Sequence, residues 1–385
     1  MGDARPHVVL AGVTTRALAA SASRAGYRVT AIDAYGDLDL RAVAQVIALP
    51  ENGEYSALAA AEAARASGAE SVAYTSNFEN YPEAISLLAA GRRLLGNSGP
   101  VVARVRDPQE LARTLRRAGF AAPVVRGSPP GGRQRPGAWL LKPRRSGGGN
   151  GTRVWRQGQA VPRTSYLQER IRGVPGSIVF LADGCGAITL GISRQLIGEG
   201  VFGAHGFRYC GSILGSPRHP VFEQQVELQE RAQALACHIG AEFGLVGLNC
   251  IDFIAHAGVP YPIELNPRYS ASMELVERSS KNPLFALHAE ACQGRLPARA
   301  PAADPDRTFG KAVVFARRGV SAGDTGGWLN RPLGDIPHPG EQIPRGRPIC
   351  TVFAEGRGAA SCRRSLVARA AWVYRAVELR ARGAA

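Results

Sequence analysis

Residues 247–268 read GLNCIDFIAHAGVPYPIELNPR, and they are the part of the chain that is most informative about its architecture. The pattern predicts two strands joined by a tight turn at Gly258, 247–255 and 260–265. Side chains two positions apart along a strand lie on the same side of a sheet. Glu264 and Asn266 therefore project together, and we expect Asp252 to face them from the neighbouring strand.

These three side chains supply two carboxylates and one amide oxygen. Oxygen ligands of this kind suit Mg²⁺, which takes few protein ligands and completes its shell with phosphate and water. Arg268 follows directly, and a guanidinium at this place can stabilise charge on transferring phosphate oxygens. Taken one by one, the same residues are better explained as a strand-end cluster held by turns and by a salt bridge between Arg268 and Glu264.

A glycine-rich loop lies upstream of these strands. Residues 146–151 read SGGGNG and follow a short apolar strand, 138–142, that ends in Lys142. Glycines let backbone N–H groups approach phosphate oxygens closely, and the lysine adds a positive charge. The P-loop pattern GxxxxGK[ST] is absent, so a surface hairpin is the alternative for this loop taken alone. The candidate phosphate-binding residues are Lys142, Ser146, Gly147, Gly148, Gly149 and Gly151.

Gln168 and Glu169 end a predicted strand between the glycine-rich loop and the acidic strands. A strand end at this place can form hydrogen bonds with adenine through its backbone. The alternative is an exposed strand terminus with no ligand, and the dipeptide taken by itself favours this alternative.

The N-terminal part of the chain alternates short apolar strands with helices, which predicts βαβ units and a parallel sheet. The predicted strands there are 7–11, 27–32 and 71–74, and the helices are 16–25 and 56–67. Downstream we predict helices at 108–118, 223–243, 282–292 and 361–380, a hairpin of 177–182 with 187–193, and strands at 311–316 and 349–354. We expect three domains: 1–100, 101–296 (lobes of about 101–168 and 169–296) and 297–385.

These features follow one another in a fixed order: the strand-end lysine, the glycine-rich loop, the strand-end glutamate, the acidic strand and ELNPR. This order resembles the ATP-grasp superfamily over roughly residues 1–295. The resemblance implies a fold that is α/β and α+β, with a Rossmann-like (pre-ATP-grasp) parallel-sheet domain, a two-lobed central domain and a small C-terminal α+β segment. It implies ATP and two Mg²⁺ ions as cofactors, for which Mn²⁺ can substitute. The implied roles are catalysis for Arg268 and Lys142, nucleotide binding for Lys142, the loop, Gln168 and Glu169, and metal binding for Asp252, Glu264 and Asn266.

Further segments are similar to a branch described as carboxylate-amine ligase or carboligase-like, with the tyramine–glutamate ligase of methanofuran biosynthesis as a functional model. They are Gly12 with Arg16, AIDAYGDLD at 31–39, TSNFEN at 75–80, LLGNS at 94–98, FRYCGSILGSP at 207–217 and DIPHPG at 335–340. The chain departs from the family pattern where many members carry a second lysine, because Arg104 and Arg106 stand there. We expect Arg106 to bind nucleotide in its place. Asp252 is also shorter than the usual glutamate.

The resemblance therefore implies an ATP- and Mg-dependent ligase that forms an amide or peptide C–N bond through an acyl phosphate. An amino acid such as glutamate, joined in one-carbon cofactor (methanofuran/methanopterin-type) biosynthesis, is the expected substrate. Arg194, Arg208 and Arg268 are candidates for holding the acidic substrate.

Three alternatives stay open. A biotin-carboxylase-like carboxylase is the first, although the chain has no biotin-attachment MKM motif. An NAD(P)-dependent Rossmann dehydrogenase is the second, suggested by Gly12 and Asp33, but two glycines of GxGxxG are missing. A nucleotide-binding module without activity is the third.

Composition narrows the class of protein. The chain has 385 residues, 45% of them hydrophobic, and this amino-acid composition excludes a disordered, collagen-like or disulfide-scaffold protein. Its formal net charge is +16. Its basic residues are scattered, so we expect small-molecule carboxylate and amine substrates rather than nucleic acid. Seven cysteines without a CxxC pair indicate a reducing compartment. We expect a cytoplasmic protein without a membrane partner, and a homodimer is compatible with the sequence.

Overall fold

A five-stranded parallel sheet opens the chain in a computed structural model, which describes residues 5–49 and 55–378. Its strand order is β3-β2-β1-β4-β5, with helices between the strands, as the alternation in the sequence predicted. The strands are β1 His7–Ala11, β2 Arg28–Asp33, β3 Gln45–Ala48, β4 Ser71–Tyr74 and β5 Arg93–Leu94. The helices are α1 Arg16–Arg24, α2 Leu38–Arg41, α3 Ala57–Ala63 and α4 Pro82–Ala89, with 3-10 turns at Ala64–Ser67 and Phe78–Asn80.

The first turn of this sheet bears on the dehydrogenase alternative. A Cβ atom at Gly12 would lie 1.8 Å from the Thr75 hydroxyl. The glycine therefore allows the segments that follow β1 and β4 to approach each other closely, and the Thr75 side chain occupies the space beside this turn.

A small four-stranded antiparallel sheet follows, with strand order β6-β9-β7-β8. It carries the glycine-rich loop between its second and third strands in the chain and packs on its own apolar cluster around Trp139 and Trp155. The elements of this region are α5 Gly99–Val105, α6 Pro108–Arg117, β6 Val125–Arg126, β7 Trp139–Pro143, β8 Arg153–Val154 and β9 Ser165–Glu169.

The largest sheet has eight strands in the order β14-β13-β10-β11-β12-β15-β19-β17, all paired antiparallel. Its first five strands in the chain are β10 Val174–Asp183, β11 Ala187–Ile197, β12 Tyr209–Leu214, β13 Val246–His256 and β14 Val259–Asn266. The others are β15 Thr308–Phe315, β17 Leu333–Gly334 and β19 Pro348–Gly356, while β16 Val320–Ser321 pairs with β18 Gln342–Ile343. The helices are α7 Gln225–Phe243, α8 Met273–Ser280, α9 Leu284–Ala291 and α10 Ala359–Glu378, with 3-10 turns at Gly200–Phe202 and Gly326–Asn330.

Strands β15 and β19 of the C-terminal segment extend this central sheet through β12. The sequence did not show this pairing, because hydrogen bonds between strands distant in the chain leave no local pattern. The domain boundaries at residues 100 and 296 stay a prediction. The part of residue range 361–380 beyond residue 378 lies outside the described residues.

Alternating side chains place apolar surface on both faces of the eight-stranded sheet. Phe180 and Phe253 belong to one apolar cluster together with residues of α7 and α10, whereas Val179 and Leu181 belong to a second cluster with residues of α8, α9 and the N-terminal sheet. Full burial of one such phenylalanine contributes about 1.5–3 kcal/mol to folding. The two layers hold β13 and β14 between them, and Arg106 connects Glu264 of β14 with the glycine-rich loop.

Candidate active site

Strands β13 and β14 bring the acidic residues together, as their spacing predicted. Asp252 lies opposite Glu264 in the antiparallel register, and the Asn266 amide donates a hydrogen bond of 3.0 Å to Asp252 Oδ2. The register shifts by one residue directly after Asp252, which is the irregularity of a β-bulge. Two carboxylates and an amide therefore share one side of the strand pair. Their role as metal ligands stays a prediction.

Asp252 is held by two residues that the sequence did not single out. The Ser177 hydroxyl and the Gln195 amide donate hydrogen bonds of 2.7 and 2.8 Å to Asp252 Oδ1. Burial and then the negative charge of Glu264 raise the pKa of Asp252 to about 6. Because Ser177 is the register partner of Asp252 on β10, only the strand pairing could have revealed it.

Glu264 faces two cations. Its carboxylate forms an ion pair with Arg106, whose side chain is 13% exposed. Burial raises the pKa of Glu264, but the charges of Arg106 and Lys142 outweigh it, so that the pKa lies below its ordinary value. Glu264 is therefore an ionised carboxylate, which is the state that a cation-binding role requires.

Lys142 points into the cleft between the small sheet and β14. Its ammonium group donates hydrogen bonds to Gln168 Oε1 at 3.2 Å and to the Ile263 carbonyl at 3.4 Å. Gln168 also donates to the Ile263 carbonyl, at 3.0 Å. Burial lowers the pKa of Lys142, but Tyr166 and Glu264 reverse this and leave the pKa raised. The lysine is thus a fixed positive charge beside the acidic strands.

Glu169 has a contact of a different kind. Its carboxylate accepts a hydrogen bond of 3.0 Å from the Val124 N–H, and its own N–H donates to the Val124 carbonyl at 2.8 Å. The side chain therefore fastens the segment that leads into β6. Its expected role beside adenine stays a prediction.

The glycine-rich loop lies against the start of β12. The Tyr209 N–H donates a hydrogen bond of 3.0 Å to the Gly148 carbonyl. Gly149 has φ +77°, and a Cβ atom there would lie 2.0 Å from the Phe207 carbonyl oxygen. Gly148 and Gly151 also have positive φ, whereas a Cβ at Gly147 would meet nothing within 4 Å. The glycines at 148, 149 and 151 are thus required by the backbone of the loop.

Arg106 links this loop to the acidic strands. Besides its ion pair with Glu264, its guanidinium donates to the Ser146 carbonyl and to Asn80 Oδ1, each at 3.3 Å. The expected nucleotide-binding arginine therefore lies between the loop, β14 and the N-terminal domain. Arg104 instead pairs with Glu110 near the surface.

Arg268 forms an ion pair with Glu79, which is buried in the 3-10 turn after β4. Burial raises the pKa of Glu79, but Arg268 outweighs it and lowers the pKa. Sequence reasoning quoted TSNFEN without assigning Glu79 a role. The segment around Glu79 is polar apart from Phe78, so no local signal in the sequence indicated that this glutamate is buried.

The other two arginines expected to hold an acidic substrate lie elsewhere. Arg194 is exposed and faces away from Ser193 and Gln195, because adjacent strand residues alternate between faces. Arg208 stacks on Phe315, with 4.0 Å between the guanidinium carbon and the ring centroid. Only Arg268 of the three joins the acidic cluster.

Within residues 5–49 and 55–378, no three His, Cys, Asp or Glu side chains are grouped so that they could hold a metal ion. A cation at this site would therefore rest on Asp252, Glu264 and the Asn266 oxygen, a set that fits Mg²⁺ completed by phosphate and water. All seven cysteines are free. Among the described residues, no helix has the length and apolarity needed to cross a membrane.

Comparison with known families and structures shows which fold carries this arrangement of residues. Residues 105–272 match the family model of an ATP-grasp domain. The chain has the ATP-grasp fold that its motifs implied, with a parallel-sheet N-terminal domain and an antiparallel central sheet. No curated protein matches the sequence.

Three solved structures illustrate the likeness. Pyruvate carboxylase of Rhizobium etli matches 94% of this chain with a TM-score of 0.70 and 13% identity, and the chain spans 37% of that enzyme. L-amino acid ligase from Bacillus licheniformis matches 94% of this chain and 96% of its own length, with a TM-score of 0.67 and 14% identity. N5-carboxyaminoimidazole ribonucleotide synthetase, solved with ADP, matches 98% and 100%, with a TM-score of 0.68 and 17% identity. Identities this low establish the fold alone.

Proposed function

We propose that this protein is an ATP- and Mg²⁺-dependent carboxylate–amine ligase that forms an amide bond through an acyl phosphate. The observation that carries the proposal is the convergence of Lys142, Arg106 and Arg268 on Asp252 and Glu264 beneath a glycine-rich loop. Cations that face carboxylates across a cleft suit a triphosphate held with divalent ions. The fold of the ADP-bound synthetase and of the amino acid ligase supports the same reading.

Each side chain has a role that follows from its position. Lys142 and the N–H groups of the loop neutralise phosphate charge, and Gln168 and Glu169 lie at the strand end expected beside adenine. Asp252, Glu264 and Asn266 would hold Mg²⁺, which supplies charge neutralisation at the β- and γ-phosphates. Arg268 lies beside Asn266, where it stabilises the oxygens of the phosphoryl group that moves to the substrate carboxylate.

The loop protects the reaction from water. Its contacts with Tyr209 and Arg106 hold it over the cleft, and a closed loop keeps water away from an acyl phosphate. An amine then attacks the acyl carbon and phosphate leaves. Phosphoryl transfer needs positioning and charge stabilisation rather than a nucleophilic side chain, and the site offers both.

ADP release from Mg·ATP, with the twenty amino acids and tyramine as substrates, tests the proposal. Glu264→Ala should lower the rate by at least about 10³-fold, because several kcal/mol of charge stabilisation are lost. Glu62→Ala, an exposed glutamate, is the control and should keep the original rate. Full activity of the Glu264→Ala protein, with its circular dichroism unchanged, would end the proposal.

The finer assignment to methanofuran-type cofactor biosynthesis rests on the resemblance of the sequence motifs. It directs the first assay to glutamate as the acid and tyramine as the amine. Amide formation from this pair, followed by mass spectrometry, supports the assignment. Turnover of other acids with no product from glutamate removes it and leaves the ligase reaction in place.

A biotin-carboxylase-like reaction is the second candidate, favoured by the fold shared with pyruvate carboxylase. Labelled bicarbonate separates the two candidates. Incorporation of label into an acid-stable product indicates carboxylation, whereas ADP release that depends on an amino acid and not on bicarbonate indicates ligation.

A further inference from the structure

The two carboxylates of the strand pair β13–β14 differ in their partners. Glu264 forms an ion pair with Arg106. Asp252 has only uncharged hydrogen-bond partners among the described residues, which are Ser177, Gln195, Asn266 and, at 3.8 Å, the Cys250 thiol. A carboxylate taken largely out of water is normally paired with a cationic side chain or bound to a metal ion. Asp252 is still partly exposed, so a cation from solution can reach it.

The hydrogen bonds of Asp252 are divided unequally between its two oxygens. Oδ1 accepts from the Ser177 hydroxyl at 2.7 Å and from the Gln195 amide at 2.8 Å. A carboxylate oxygen has two lone pairs, so these two donors occupy it completely. Oδ2 accepts a single hydrogen bond, of 3.0 Å, from Asn266. One lone pair of Oδ2 therefore remains for a cation.

The eight-stranded sheet itself fixes this division. Ser177 on β10 is the register partner both of Asp252 on β13 and of Ser193 on β11. Gln195 lies two positions beyond Ser193, so it shares their face of the sheet. Its amide also donates a hydrogen bond of 2.7 Å to the Ser177 hydroxyl oxygen, and both side chains are buried. The two donors are thus held by three paired strands and by each other.

The number of free carboxylate oxygens bears on which divalent ion the site accepts. Mg²⁺ takes few protein oxygens, whereas Ca²⁺ takes more of them and often binds both oxygens of one carboxylate. We infer that Ser177 and Gln195 are positioning residues that leave Asp252 only one free oxygen, and that they thereby make the site select Mg²⁺ over Ca²⁺. This inference rests on the proposed function, because it takes Asp252 as a cation ligand.

Nucleotide binding tests the inference without turnover. The fluorescence of N-methylanthraniloyl-ADP is titrated with the protein in EDTA, and then with an excess of Mg²⁺ or of Ca²⁺ at equal concentration. The gain in affinity over EDTA should be larger with Mg²⁺ for the unaltered protein. Gln195→Met removes the amide and keeps the chain length, and should lower the Mg²⁺ gain by about tenfold. The Ca²⁺ gain should persist or rise, because Oδ1 then has a free lone pair.

Ser177→Ala is a smaller change that frees the same oxygen. It should shift the preference in the same direction, and it decides the question if Gln195→Met does not fold. Ser177→Thr keeps a hydroxyl at this position and should retain the preference for Mg²⁺. A merely structural role of the hydroxyl would not change the balance between the two ions.

Gln233→Met is the matched control on the same strand. Gln233 lies on α7 and is also partly buried, and its amide bonds the backbone of β11 at Ala187 and Thr189, each at 2.8 Å. The substitution should lower the melting temperature and leave the ratio of the Mg²⁺ and Ca²⁺ gains unchanged.

Three results would overturn the inference and leave the proposed function standing. They are equal gains from the two ions in the unaltered protein, parallel losses of both gains in the variants, and no loss in either variant. Absence of any gain from Mg²⁺ in the unaltered protein would also overturn the inference. If ADP release from ATP is absent as well, the proposed function falls with it.

Discussion

Two largely buried clusters of charged side chains join the N-terminal domain to later parts of the chain. The cleft cluster consists of Glu79, Arg106, Glu264 and Arg268, and the Arg16 cluster consists of Arg16, Glu274, Lys311 and Asp335. They differ in how completely their atoms are paired. Arg16 contacts Glu274 and also Asp335, at 3.0 Å, and Lys311 completes the carboxylate of Glu274. The cleft cluster leaves three buried atoms open. A buried polar atom without a partner costs free energy, so the cleft cluster is the less completely stabilised of the two.

We expect the largest loss of stability from a substitution that breaks the fully paired Arg16 cluster. Arg16→Ala leaves Glu274, whose side chain is only 9% exposed, without its main partner, which should lower the free energy of unfolding by about 3–5 kcal/mol. Urea denaturation at pH 7 measures this. Arg106→Ala is the comparison and should cost less, because the side chain of its partner Glu264 is 25% exposed and water can replace the ion pair. Equal losses for the two variants would contradict the distinction drawn between the clusters.

The next effect concerns Asp252, which lies beside the cleft cluster. Here we expect a substitution to raise the free energy of unfolding rather than to lower it. The pKa of Asp252 is raised to about 6, above the ordinary value of 3.8. The native state therefore holds its proton to higher pH than the unfolded state does, so that stability falls as pH rises from about 4 to 6. A shift of this size corresponds to about 3 kcal/mol at pH 7.

Asp252→Asn removes this penalty. In EDTA it should raise the free energy of unfolding by up to about 3 kcal/mol at pH 7 and by little at pH 4, while ATP turnover is lost. Thermal or urea unfolding across this pH range measures the difference. A variant that is less stable than the original protein at pH 7 would show that the hydrogen bonds of Ser177 and Gln195 outweigh the buried charge.

The smallest effect tests the loop that covers the cleft. Gly149→Ala places a methyl group against the Phe207 carbonyl at a positive φ, and should cost about 1–2 kcal/mol of stability together with reduced ATP turnover. Gly147→Ala is the matched control, since nothing lies within 4 Å of its Cβ position. Fluorescence of bound nucleotide and ADP release measure the two variants. Similar ATP turnover in both variants would mean that catalysis does not need the contact between the glycine-rich loop and β12.

Much of the site could be predicted from local spacing. The alternation along 247–266 placed Asp252, Glu264 and Asn266 on one side of a strand pair, and the structure brings them together. The strand ending in Lys142 and the glycine-rich loop were also correctly located. Each of these predictions depends on residues close in the chain, whose relative positions follow from strand geometry.

The pairing of charges could not be predicted in the same way. Three arginines were candidates for the acidic substrate, yet Arg194 faces away from the cluster and Arg208 stacks on Phe315. Glu79 meets Arg268 across 189 positions of the chain, and Arg106 meets Glu264 across 158. A side chain that reaches several ångströms can pair with any of many charges until packing fixes its neighbours.

The sequence alone thus determined the ATP-grasp order of elements and the positions of the acidic strands and the glycine-rich loop, because covalent spacing and the period of a strand act over a few residues. Only the tertiary structure decided that the C-terminal strands extend the central sheet and that Glu79 pairs with Arg268. Those outcomes depend on the packing of segments hundreds of residues apart, where burial and complementary charge select one arrangement among many.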